Sequence, residues 1–386
     1  MTADDEPSLV SWQESGASHT LRWRSEAGWP APSRIQVADD RMPADVAYRL
    51  ACEGTALVWR GDFHNARQLL QALARRIDRK PRKARPVPRS TPATTSSDRF
   101  HRHRQAQGQR ARVLGMLLVE VGADYGIALR RAPDLRLACA EAWGPPAGHA
   151  CVVALRELLG LVGAHEWRKK GVDIPSLGRI HPHYGVFSPV RGEYLDLVAR
   201  APLPADRSLA FDIGTGTGVI AAVLARRGMA RVIATDTSER ALACARDNLT
   251  RLGVQDRVQL DAADLFPPGQ APLVVCNPPW VPARATSVLE RAVYDPDSQM
   301  LRGFLSGLAA HLAPGGEGWL ILSDLAEHFG LRTREELRAW IAAGGLAVRE
   351  RLDIAPRHPK AADPDDPLAA AREREVTSLW RLVRAA

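Results

Sequence analysis

Asn277, Pro278, Pro279 and Trp280 directly follow an apolar run at residues 273–276, and their types suit the capture of a planar amino or amide group. The Asn277 side-chain oxygen and the Pro278 backbone carbonyl are both acceptors. Together they can take both N–H bonds of an NH2 group and leave its lone pair directed elsewhere. The prolines restrict the loop, and the Trp280 ring can lie flat on a planar acceptor. A strand followed by Pro-Pro-aromatic is also an ordinary turn, so the tetrapeptide takes its meaning from its surroundings.

Upstream, Asp212, Gly214, Gly216 and Gly218 stand at alternate positions, with Thr215 between the first two glycines. Glycines let the backbone enter positive φ and let a ligand approach bare amides at a helix start. A dinucleotide-binding turn reads G-x-G-x-x-G, and here Val219 holds the place of its last glycine. A nicotinamide-dinucleotide or purely structural role for the turn stays open at this point. Asp236, with Thr237 after it, ends a second apolar run 24 residues beyond Asp212. Its carboxylate can accept both hydroxyls of a ribose, which supports an adenosine group of either kind. Asp264 and Leu265 close a third run, where Asp261 is a competing acid and a solvated loop acid is the plain alternative.

These loops need a frame. Strand-like runs at residues 209–213, 231–234, 258–260, 273–276 and 319–322 alternate with helical stretches at 219–227, 239–252 and 300–312, which predicts a doubly wound parallel sheet covered by helices. Two β-rich runs, 347–352 and 376–383, follow a helical stretch at 334–343. The predicted class is α/β: a Rossmann-like domain over residues 180–386, preceded by a basic, mainly helical region.

From about Gly185 onward the chain resembles HemK-type N5-glutamine methyltransferases and their adenine- and guanine-N-methylating relatives. The resemblance is carried by Asp212, Gly214, Gly216, Gly218, Asp236, Asp264 and residues 277–280, with Tyr294, Asp295, Pro296, Met300, Gly303 and Gly307 in the stretch that follows. Gly185, Phe187, Ser188 and Pro189 are similar to the family's loop that closes over cofactor and substrate. The resemblance implies S-adenosylmethionine (SAM) as cofactor, bordered by Phe187, Pro189, Asp212, Gly214, Thr215, Gly216, Gly218, Asp236, Thr237, Asp264, Leu265 and Asn277. It implies methyl transfer to nitrogen at Asn277, Pro278 and Trp280, with a protein glutamine favoured over an RNA or DNA base. A non-catalytic SAM- or RNA-binding factor is the reading from another class. The sequence departs from the family at Trp280, where Tyr is usual, in lacking a Pro-Arg-Pro-Glu-Thr-Glu run around residues 189–194, and over its first 180 residues.

That amino-terminal part carries the charge. Residues 1–200 hold 30 Lys/Arg against 21 Asp/Glu, whereas residues 201–386 hold 22 against 23. Such an excess suits an RNA or ribosomal partner beside a protein one, or serves solubility alone. Residues 1–78 are expected to form a small α/β or helical unit in which Asp62 caps a helix bearing Ala66, Leu69, Leu70, Leu73 and Ile77, with Arg67, Arg75 and Arg76 exposed. Residues 79–104 read as an extended basic Pro/Ser/Thr linker that buries nothing. Residues 105–179 read as a helical substrate-recognition region, with short helices around 113–119, 135–142 and 152–162.

Five scattered cysteines form no C-x-x-C pair, and no eighteen-residue apolar run or secretory signal is present, so a cytoplasmic location without membrane or metal is expected. His181 and His183 are expected to line a loop, and Cys276 to be a strand residue. Asp324 and Glu327 could line the cleft or cap a helix.

Overall fold

The computed structural model describes residues 8–79, 95–175, 177–189, 192–285, 289–356 and 368–385. The chain divides into two compact units, one of Met1–Ala93 with Arg102–Glu166 and the other of Thr94–His101 with Trp167–Ala386.

The first unit is an α/β sandwich. Its elements run β1 (Leu9–Glu14), β2 (Ala17–Arg24), β3 (Arg34–Ala38), α1 (Ala44–Cys52), β4 (Thr55–Trp59), α2 (Phe63–Ile77), α3 (Ser96–Leu114), β5 (Leu117–Val121), α4 (Arg136–Trp143), β6 (Cys151–Ala154) and α5 (Leu155–Lys170). The six strands form one mixed sheet in the order β1-β2-β6-β5-β4-β3. The β1–β2 hairpin closes on Ser15 and Gly16, both at positive φ, as a two-residue turn between right-twisted strands requires. Val10, Trp12, Val58, Leu118 and Val152 form a shared core. As expected, Asp62 caps α2: its carboxylate accepts from the His64 amide at 2.8 Å.

Three expectations are corrected here. The parts before and after the basic stretch do not make separate modules, because β5 and β6 complete the sheet that β1–β4 begin. Of the expected helices at 113–119 and 152–162, residues 117–119 belong to strand β5 and residues 152–154 to strand β6, which runs straight into the expected helix, α5, at Leu155. The expected linker 79–104 falls at residues 80–94 outside the described residues, but from Ser96 it is helix α3, whose Phe100, itself part of the second unit, is buried against Phe329.

The second unit continues with β7 (Val172–Ile174), β8 (Gly178–Ile180), α6 (Glu193–Arg200), β9 (Leu209–Ile213), α7 (Val219–Arg226), β10 (Arg231–Asp236), α8 (Glu239–Arg251), β11 (Val258–Ala262), β12 (Ala271–Cys276), α9 (Gln299–His311), β13 (Leu312–Ser323), α10 (Leu325–His328), α11 (Arg334–Ala343), β14 (Leu346–Ile354), α12 (Ala369–Arg372) and β15 (Thr377–Arg384). Its seven-stranded sheet has the order β11-β10-β9-β12-β13-β15-β14. The first five strands are parallel, and β15 enters antiparallel between β13 and β14. Helices α6, α7 and α8 supply Leu195, Val198, Leu224 and Leu249 to one core. Helices α9 and α11 supply Phe304, Leu308, Leu337 and Ile341 to the other. The strand order reverses between β9 and β12, and ligands of such sheets bind outside the carboxyl ends of the strands at that point.

Candidate functional site

The turn from β9 into α7 holds Gly214, Gly216 and Gly218 at φ of +72°, +54° and +80°, all in the region that favours glycine. A side chain on Gly218 would stand 3.2 Å from the Ala245 backbone, so α7 and α8 pack closely only through a bare residue. Beneath the turn, the buried Asp212 carboxylate accepts from the Thr215 hydroxyl at 2.7 Å and the Ala221 amide at 3.1 Å, both on Oδ2. Its Oδ1 is buried without a hydrogen-bond partner. Burial pushes this carboxyl up to about 6, against the two hydrogen bonds and with help from the nearby Asp236 charge.

Successive strand ends are tied to this turn. The Asp236 carboxylate accepts from the Gly216 amide at 3.0 Å and the Ser238 amide at 2.9 Å, which fixes its direction at the end of β10. The Thr235 carbonyl accepts from the Thr215 amide at 2.8 Å, and the Thr235 hydroxyl donates to the Leu265 carbonyl at 2.6 Å. Leu265 itself sits at φ +66°, a left-handed conformation uncommon for leucine. The loops after β9, β10 and β11 therefore form one bonded rim.

Asn277 begins at the end of β12, whose Cys276 pairs with Ile213 of β9. The Trp280 indole Nε1 donates to the Asn277 Oδ1 at 2.9 Å. The chain after Trp280 returns on itself: the Asp295 amide donates to the Val281 carbonyl at 2.9 Å, and the Asp295 carboxylate accepts from the Met300 and Leu301 amides at the start of α9. This fixes the far side of the tetrapeptide loop.

A cavity of about 850 Å³ joins these parts. It brings together Phe187, Gly214, Thr215, Gly216, Asp236, Thr237, Asp264, Leu265, Asn277, Pro278 and Trp280 from the sequence reading. Asp212, Gly218 and Pro189 are not on its wall: Asp212 lies under the glycine turn, Gly218 faces α8, and Pro189 is buried. Sequence reasoning missed Val186, Tyr194, Ile220, Leu325 and Arg372, which also line the cavity. They carried no signal, since an apolar wall residue looks like any core residue, and Arg372 reaches the cavity from the distant β14–β15 connection.

The remaining candidates are tied elsewhere. A His181 ring nitrogen lies 2.6 Å from the Arg168 carbonyl of α5, and a His183 ring nitrogen lies 2.9 Å from the Asp247 carboxylate of α8, fastening the start of the loop 181–189 to both helices. Asp324 accepts from the Val376 amide and Glu327 pairs with Arg334, away from the cavity wall. Cys276 is a buried strand residue whose thiol burial pushes well above the ordinary range.

The groups present fit SAM. An orphaned buried carboxylate oxygen lies beneath a glycine turn, two further carboxylates stand at the ends of β10 and β11, and Phe187, Ile220 and Leu265 supply apolar wall. The space is within the range of small-molecule sites.

Comparison with known proteins gives a match of residues 178–328 to the Methyltransferase small domain family. A Release factor glutamine methyltransferase from Cereibacter sphaeroides is 34% identical over 159 residues, covering 38% of this chain and 54% of that protein. Its namesake from Moorella thermoacetica is 39% identical over 115 residues, covering 28% and 41%. A Ribosomal RNA small subunit methyltransferase C from Alcanivorax borkumensis is 33% identical over 112 residues, covering 28% and 30%. The chain thus spans about half the length, or less, of the curated relatives it matches. Residues 178–328 thus match the Methyltransferase small domain family, and the sheet that carries them is Rossmann-like in its strand order.

Proposed function

We propose that the second unit is a SAM-dependent N-methyltransferase acting on a planar amide, with a protein glutamine side chain as acceptor. The observation that carries this reading is the placement of the Asn277 side-chain oxygen at the end of β12, on the same cavity as the glycine turn and Asp236. SAM supplies an activated methyl on a positively charged sulfur. The chain's own groups position the partners. Asp236 accepts the ribose hydroxyls, Asp264 and Leu265 take the adenine, and Asp212 with the glycine turn borders the methionine end. Asn277 Oδ1 and the Pro278 carbonyl accept the N–H bonds of the acceptor and turn its lone pair toward the methyl.

Bound there, SAM would give up its methyl to the acceptor nitrogen and keep the electron pair of the broken S–C bond on sulfur. The nitrogen then releases one proton to water, so no strong base is required. Names of the relatives support a glutamine target, and the absence of a CxxC pair among five free cysteines supports a cytoplasmic setting. No helix among the described residues is long and apolar enough to cross a membrane.

The test is methyl transfer from labelled SAM to fractionated cell extract, with fractions pre-treated by protease or ribonuclease. A glutamine acceptor gives label that protease removes and that strong acid releases as methylamine. Label removed by ribonuclease would place the target on a nucleobase instead. Calorimetry supplies the cofactor arm: Asp236→Ala should weaken SAM binding by about 1.5–3 kcal/mol, because two accepted hydroxyls lose their partner. Binding of NADH in place of SAM would sink the reading.

A further inference from the structure

The basic excess of this protein has one address. Residues 79–114 carry eleven Lys/Arg and a single acid, Asp98, whereas the other 350 residues carry 41 Lys/Arg against 43 Asp/Glu. A charge retained for solubility would be spread over the surface. This one is concentrated, and its described part is helix α3.

Within the first unit, residues 102–112 of α3 read Arg-His-Arg-Gln-Ala-Gln-Gly-Gln-Arg-Ala-Arg, with four arginines, three glutamines and no acid. None of these eleven residues is buried; the helix is anchored beyond them by the buried Val113 and Leu114. Arg110 is held by a two-pronged pair with Asp78 at the end of α2, at 3.0 and 3.1 Å. Arg102 and Arg112 are exposed, and Arg112 meets no carboxylate among the described residues.

Such a segment is a poor helix by itself. It has no apolar stripe to bury, a glycine at its centre, and like charges on neighbouring turns that oppose helix formation. A polyanion laid along it would relieve that repulsion. Arginine forks match phosphate oxygens in two-pronged fashion, and glutamines can bond to phosphate and sugar oxygens between them. From residue 102 to 112 the helix extends about 15 Å, long enough to meet several successive phosphates. A lipid surface fits poorly, since no Leu, Phe or Trp lies among these residues to enter it.

We infer that the exposed arginine–glutamine stretch of α3, residues 102–112, is a docking surface for the phosphate backbone of RNA. This goes beyond the proposed methyl transfer and does not depend on it.

The experiment uses the full chain and a fluorescein-labelled RNA hairpin of arbitrary sequence, followed by anisotropy between 50 and 200 mM salt. The native protein should bind with a steep loss of affinity across that range. Arg102→Gln with Arg112→Gln removes two cations while keeping good helix formers. It should bind about tenfold or more weakly at the lower salt, with a log–log salt slope smaller by about two. Its circular dichroism and SAM affinity should match the native protein, so that lost RNA binding cannot be lost folding. The inference is overturned if the double variant binds RNA as the native chain does, if no binding is seen at 50 mM salt, or if a polyglutamate of equal charge binds as tightly. The last outcome would assign the surface to an acidic protein. A failure of the methyl-transfer reading would leave these binding curves unchanged.

Discussion

The Trp280 indole N–H donates at 2.9 Å to the side-chain oxygen of Asn277, and both residues line the cavity. A carbonyl-type oxygen has two lone pairs, so this bond occupies one and leaves one for an incoming N–H. It also defines which way the amide points, since its NH2 end cannot accept from an indole. Phenylalanine would keep a flat ring and lose the donor. Trp280→Phe is expected to lower turnover about fivefold, the worth of one hydrogen bond near 1 kcal/mol, with SAM affinity unchanged. Asn277→Ala should cost about 10²–10³-fold in turnover, again at constant SAM affinity. Parallel loss of SAM affinity and rate in either variant would show that the pair only supports the loop.

The pH dependence of stability should report Asp212. Its folded carboxyl is pushed up to about 6 from an ordinary 3.8 by burial, so the folded protein holds this proton more tightly than the unfolded chain. The associated stability is complete below the unfolded value and is lost as pH climbs from about 4 through about 6. A rise from 3.8 to about 6 corresponds to roughly 3 kcal/mol. Asp212→Asn retains an acceptor for Thr215 and Ala221 without the buried charge. It should melt above the native protein at pH 7.5 and level with it at pH 4. A gap of the same size at both pH values would remove the buried charge as its cause.

How much of this was legible in the sequence depended on the distance over which each signal acts. The alternation from Leu209 to Leu352, the glycine turn, Asp236 and the Asp62 cap are local, and each lies where its own neighbours direct it. The first unit was misread because its short strands lack a distinguishing period. Leu117–Val121 is nearly all apolar, and Cys151–Ala154 continues without a loop into α5, so neither run can be told from buried helix by spacing. At the site, Asn277 and Pro278 were legible as a loop at a strand end and do line the cavity, but the indole bond to Asn277 was not legible, because it depends on how the loop folds back after Trp280.

Glu317 and Arg381 form a buried pair across β13 and β15, with Arg381 Nε at 2.9 Å from Oε2 and Nη2 at 2.8 Å from Oε1. Both side chains are almost fully enclosed. Arg381 also meets Glu350, and Glu317 also meets Arg349. Glu317→Ala therefore leaves Arg381 with one carboxylate in place of two, and is expected to destabilise the second unit by about 3 kcal/mol, the lower end for a broken buried pair. Glu317→Leu combined with Arg381→Met should recover most of that loss, since a matched apolar pair needs no partner charges. Chemical denaturation of the three variants separates the cases. A double variant as unstable as the single one would mean that the pair itself, and not an orphaned charge, holds the edge.

Phe100 lies at the start of a basic helix, yet it is 1% exposed and stacks on Phe329 with ring centroids 5.0 Å apart. Val281, Leu325, Leu368 and Ala371 complete this cluster, and Trp280 packs against its edge. The segment Thr94–His101 is therefore structurally part of the second unit although residues 102–166, which belong to the first, separate it in sequence from the rest. Truncating a buried aromatic costs about 3–5 kcal/mol when the space cannot collapse. Phe100→Ala should lower one melting transition, and that transition should be the one SAM raises, because a ligand stabilises only the unit that binds it. A fragment beginning at Gly171 lacks Phe100 altogether and should show the same lowered, SAM-responsive transition. If Phe100→Ala shifts only a transition that SAM leaves unmoved, the segment belongs with the first unit.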